Sequence, residues 1–177
     1  MADTVPISAP HDGRTGALLA MRLSQLLNPD AICLRLQSRT KREVLAELVT
    51  LLETSHGFAS QGEILDRVMR REAMMSTGLF PGAAIPHGKA RSVDRMAAAC
   101  GLSPEGVDFD SEDGEPTHLF VLLVSPENAT TLHVRLLANI SRLLKDDAVR
   151  QRLLTARSPE DFLAAVEGGE SAFVPPG

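Results

Sequence analysis

Apolar positions recur along the chain with a period that changes from helix to strand and back. Leu23, Leu26 and Leu27 lie at helical spacing and open the ordered part near Met21, until Asn28-Pro29-Asp30 turns the chain. Residues 32–36 fit a strand. Thr40-Lys41-Arg42-Glu43 has the form of a capping box, and Val44, Leu45, Leu48, Val49 and Leu52 continue it as a helix to about residue 55, ended by Gly57. Ser60-Gln61-Gly62-Glu63 repeats that box before Ile64, Leu65, Val68 and Met69, which predicts a second helix. Short strands over 74–77 and 83–85 are expected on either side of a bend at residues 78–82, with a further strand over 95–102.

The second half begins with an acidic stretch, residues 106–115, in which Gly114 marks a turn. The apolar run over 118–125 then reads as a buried central strand. A helix from about Thr130 carries Leu136, Leu137, Ile140, Leu143 and Leu144, with His133 in phase with that stripe and facing inward. A second helix covers about 147–155. A third starts at Ser158-Pro159, a cap followed by proline, and is expected to stop at Gly168-Gly169. One strand, two helices, several strands and terminal helices describe an α/β layered domain with a mixed sheet. The boundaries expected are a mobile, proline-containing extension over residues 1–20, one domain over 21–167 and a frayed tail over 168–177.

Composition narrows the function classes. A net charge of −5 argues against non-specific nucleic-acid binding, and 3% aromatics without Trp or Tyr removes the stacking surfaces of single-strand binders. Cys33 and Cys100 form no CxxC pair, so both are expected as buried free thiols. No run reaches the ~18 apolar residues of a membrane span, and the first twenty residues lack a signal-peptide pattern. A cytoplasmic location is the expectation. The carboxylates of Asp108, Asp110, Glu112 and Asp113 miss the spacing of a calcium loop and read as a solvated turn.

Candidate chemistry gathers in residues 71–89. Arg71, the Ser76-Thr77-Gly78 run and Gly82 precede His87, which sits between Pro86 and Gly88. Proline and glycine fix and free the backbone on either side of the imidazole, while Arg71 and the two hydroxyls are donors suited to an anion. The pattern points to a histidine that meets phosphate. Arg71 reads equally as a cation at a helix C-terminus, His87 as a turn residue without chemistry, and His133 as a hydrogen-bonded core histidine. His11, His56 and His118 read as structural or incidental. Three classes stay open on the residues alone: a phosphocarrier, a zinc enzyme using His87, His118 and His133, and a pure interaction module. Neither HExxH nor any close ligand pair supports zinc.

Arg71-Glu72 with Ser76-Thr77-Gly78, Gly82 with Ala84-Ile85-Pro86-His87, Val107 to Asp110, Pro126-Glu127-Asn128 and a histidine opening the next helix together resemble EIIA proteins of the phosphoenolpyruvate-dependent phosphotransferase system, fructose/mannitol type. Residues 21–27 are similar to the start of its nitrogen-regulatory branch. The resemblance implies a three-layer α/β/α fold around a mixed sheet and phosphorylation of His87 by an HPr-type donor. It implies a second active-site histidine at His133, a phosphoryl-steadying arginine at Arg71, and Ser76 and Thr77 lining the pocket. It implies no cofactor and no metal, and an output to regulatory target proteins or to an EIIB. Phe80-Pro81 departs from the small polar pair usual there, and an exposed Phe80 would offer a partner a docking contact.

Overall fold

The computed structural model describes residues 21–172, so the expected extension over 1–20 lies outside the described residues. Five strands, β1 (Ile32–Cys33), β2 (Ala83–Ala84), β3 (His87–Ala90), β4 (Ala97–Val107) and β5 (Thr117–Pro126), form one sheet. β1 runs parallel to β4, β4 antiparallel to β5, and β2 and β3 both parallel to β5. The sheet is therefore mixed, as expected.

Five α-helices flank it: α1 (Lys41–His56), α2 (Glu63–Met74), α3 (Thr130–Lys145), α4 (Asp147–Leu154) and α5 (Pro159–Ser171). α1 and α2 pack on each other and on β4 and β3; α3, α4 and α5 pack together and on β5 and β1. Leu119 to Val124 of β5 are all buried, which is why that run carries no polar alternation.

Local chemistry explains the helix ends. Thr40 Oγ1 accepts from Glu43 N–H while the Glu43 carboxylate accepts from Thr40 N–H, so the first capping box forms. Gly57, at φ 73°, closes α1. The second box does not form. Gln61 and Gly62 have φ of 51° and 89°, which delays α2 to Glu63, and Glu63 turns away to accept from the Arg91 and Ser92 amides. α5 does not stop at Gly168-Gly169 either. A Cβ on Gly169 would lie 2.5 Å from Leu143, so the glycine serves close helix contact rather than termination. One residue on, the buried Glu170 accepts from the Leu23 amide and the Ser24 hydroxyl at 2.6 Å each. That contact ties residues expected as tail to the start of the domain.

Several strand expectations shift. Of the strand expected over 74–77, Met74 is the last residue of α2 and residues 75–77 form a loop; β1 spans two residues, and β4 runs on to Val107 through an irregularity after Leu102. Phe80 is 8% exposed and bridges to Ala83, so it belongs to the core and offers no docking contact. The exposed apolar side chains near it are Met74, Met75 and Leu79. Cys100 is buried, whereas Cys33 is only half-buried. Among the described residues no helix is long and apolar enough to cross a membrane.

Candidate functional site

The site begins with an interruption. β2 and β3 both pair with β5, at Leu119–Phe120 and Leu123–Pro126, as two pieces of one edge strand. Between them stand Ile85 and Pro86. Proline has no N–H for the ladder, and its fixed φ turns the chain there. The Pro86 carbonyl accepts from Leu123 N–H at 3.0 Å, and Ile85 N–H donates to the Thr77 carbonyl at 3.2 Å. The Ile85 carbonyl is thereby left for His87, whose Nδ1 approaches it to 2.8 Å.

The other side of the imidazole meets α2. Arg71 lies in the last turn of that helix; its Nη1 donates to the Met75 carbonyl and its Nε donates to His87 Nε2 at 3.1 Å. Arg71 is thus both a cation in the last turn of α2 and a direct contact of His87. A carbonyl on Nδ1 and a guanidinium N–H on Nε2 permit one neutral tautomer, with the proton on Nδ1 and the lone pair on Nε2. Burial holds the His87 pKa below its ordinary value; the Ile85 carbonyl opposes this, Arg71 adds to it, and Glu72 opposes it.

His133, in the first turn of α3, is 4% exposed, and its ring centroid is 5.5 Å from that of His87. Its Nδ1 pairs with Ser125 Oγ at 2.6 Å. Burial, then the nearby His87, Lys89 and Arg71, lower its pKa to about 4, so it is neutral near pH 7. Lys89, two residues after His87 and hence on the same face of β3, donates to Thr130 Oγ1 at 2.9 Å.

Ser76 and Thr77 are engaged within the protein. Ser76 Oγ donates to the Phe109 carbonyl and accepts from Gly78 N–H. Thr77 is buried, and its amide and hydroxyl both donate to Glu72, at 2.9 and 2.6 Å. His118 donates from Nδ1 to the Ser103 carbonyl and His56 from Nε2 to the Ala98 carbonyl, each away from His87's partners. Among the described residues no group of three or more His, Cys, Asp or Glu is placed to hold a metal ion.

Sequence reading missed Ile85, Lys89, Ser125 and Glu72 at this site. For Lys89 the signal was available, because strand alternation puts residues 87 and 89 on one face. Ser125 and the Ile85 carbonyl carried none, since their roles arise only when β3 and β5 are paired.

A mixed α/β domain that presents one oriented, neutral imidazole beside an arginine defines the class of site. The chain belongs to the EIIA type 2 family of the phosphoenolpyruvate-dependent sugar phosphotransferase system, whose profile matches residues 25–168. It is 36% identical over 143 residues to the fructose-specific EIIABC component of Bacillus subtilis, covering 81% of this chain but only 22% of that protein. It is 31% identical to a nitrogen regulatory protein of Bradyrhizobium diazoefficiens, over 79% of this chain and 91% of that one. The crystal structure of nitrogen regulatory protein IIA-Ntr from Neisseria meningitidis superposes with a TM-score of 0.75 at 30% identity, covering 81% of this chain and 97% of that one.

Proposed function

We propose that the protein is a phosphohistidine carrier with regulatory output, accepting a phosphoryl group on Nε2 of His87 from an HPr-type donor. The observation that carries this reading is the placement of the His87 lone pair against the Arg71 guanidinium, with the imidazole proton held on the opposite nitrogen. A neutral nitrogen with a free pair is the nucleophile phosphoryl transfer requires. In the step, the donor's N–P bond breaks with its electron pair remaining on the donor nitrogen, and the Nε2–P bond forms. No proton leaves His87, because the proton on Nδ1 stays with the Ile85 carbonyl. Arg71, displaced from Nε2 by the incoming phosphorus, is positioned to pair with the phosphoryl oxygens.

In this reading His133 and Lys89 face the transferring group from α3 and β3. Ser76 and Thr77 belong to the phosphate-binding loop, which they shape chiefly through their backbone, since both hydroxyl protons are given to other acceptors. Phosphorylation adds about −1.5 to −2 charges, taking phosphoserine as the guide, so a partner that senses this face distinguishes the two forms.

The regulatory reading is supported by the similarity to nitrogen regulatory proteins, 91% of one of which is covered; a fructose-specific EIIA component of Haloferax volcanii is covered equally far, at 96%. The higher identity to a fructose-specific component favours a second reading, delivery of phosphate to an EIIB. Both place the chain in the cytoplasm with HPr-type and EIIB or regulatory partners, without nucleic acid or cofactor.

The test is intact mass after incubation with phosphoenolpyruvate, EI and HPr, for wild type and His87→Ala. One acid-labile phosphoryl group in wild type and none in the variant is the expected result. An active donor system that leaves wild type unmodified reduces the chain to a pure interaction module. Chase of the phosphorylated protein with an EIIB separates transport from regulation.

A further inference from the structure

Glu72 is a carboxylate 4% exposed to solvent, one residue after Arg71, and the transfer step above makes no use of it. A buried carboxylate persists only when donors surround it. Here they are Thr77 N–H, Thr77 O–H and the Lys41 ammonium, the last at 3.0 Å. Lys41 is itself held by the Phe109 carbonyl and by Asp110, so the pair is anchored from α1 and from the loop after β4.

The consequence is a continuous chain of contacts. Glu72 grips Thr77 at two atoms and so fixes its peptide; the Thr77 carbonyl accepts from Ile85 N–H; the Ile85 carbonyl accepts from His87 Nδ1. The same helical turn carries Arg71 to the other imidazole nitrogen. We propose that Glu72, held by Lys41, is a positioning residue that sets the orientation and the proton placement of His87 through Thr77 and Ile85. The inference rests on the carrier reading of His87.

The experiment compares wild type, Glu72→Gln and Thr77→Val as full chains. Long-range ¹⁵N–¹H correlation NMR reads the His87 tautomer in the unphosphorylated state, and rapid mixing with phosphorylated HPr reads the rate of uptake. Wild type is expected to hold the proton on Nδ1. Both variants are expected to show a mixture of tautomers and uptake slowed about 10–100-fold, the usual cost of removing a group that orients a reactive one. Thr77→Val keeps the side-chain shape and decides the matter if Glu72→Gln does not fold. Wild-type tautomer in the folded variants overturns the proposal, whatever the rate. Wild type that accepts no phosphoryl group overturns the carrier reading instead, while the tautomer comparison still judges the positioning chain.

Discussion

Arg71 and His87 meet nitrogen to nitrogen, Nε of the guanidinium donating to Nε2 of the imidazole at 3.1 Å. Sixteen residues apart in the chain, they are joined because α2 ends where the broken edge strand begins. The contact adds to burial in disfavouring protonation of His87. Under the proposed carrier function it also keeps a cation where phosphoryl oxygens would arrive, so that resting and reactive states would use the same arginine in succession.

Replacing Arg71 by Met removes that cation and its donor. The His87 pKa is expected to rise, because the Arg71 charge lowers it, although burial, the larger cause, remains. Phosphoryl uptake is expected to fall about 10²–10³-fold, as when one donor to a developing anion is lost. Arg71→Lys keeps the charge but not the planar fork and should recover only part of the rate. NMR titration of His87 and quench-flow uptake measure the two effects. An unchanged uptake rate in Arg71→Met returns Arg71 to the role of a helix-end charge.

His133 imposes a pH dependence on stability. Its folded pKa, about 4, lies below the ordinary 6.5, so the unfolded chain takes up the proton first as pH falls. The contribution is complete above pH ~6.5 and is lost on going down to pH ~4, by about 3 kcal/mol for a shift of this size. His133→Asn should flatten that part of the stability profile. Urea unfolding at stepped pH reads it, and a variant as steep as wild type would remove His133 as the cause.

Gly88 tests the contact between β3 and α2. A Cβ there would lie 3.1 Å from Val68 Cγ2, 3.2 Å from Val68 N and 3.4 Å from the Arg67 carbonyl carbon, two of them backbone atoms that cannot swing aside. Gly88→Ala is expected to cost about 1–3 kcal/mol by overpacking. It is also expected to slow phosphoryl uptake, because strand and helix must separate where His87 meets Arg71. Denaturant midpoint and uptake rate should fall together; full activity with full stability would show that the strand has room.

Most elements were legible in the amino-acid sequence because their causes are local. Thr40 and Glu43 cap α1 wherever the helix goes, the stripe from Val44 to Leu52 needs a partner surface, and Leu119 to Val124 is too apolar for an exposed strand. The departures have tertiary causes. Glu63 abandons its capping box for the amides of Arg91 and Ser92, and Gly168-Gly169 stays helical because Glu170 must reach Leu23 and Ser24. Phe80 reads as a surface residue in its loop yet closes over Ala83 in the core.

The sequence by itself determined that this chain carries an α/β domain of the EIIA type 2 family and that His87, Arg71 and His133 are its candidate site residues, since motif and periodicity are properties of the chain. Only the tertiary structure decided which imidazole nitrogen is free, because that depends on the Ile85 carbonyl and the Arg71 guanidinium arriving on opposite sides of one ring. It also decided that Thr77 serves Glu72 and that Ser125 holds His133. Hydrogen bonds across a sheet and between helix and loop have no period and no fixed spacing, so nothing along the chain announces them.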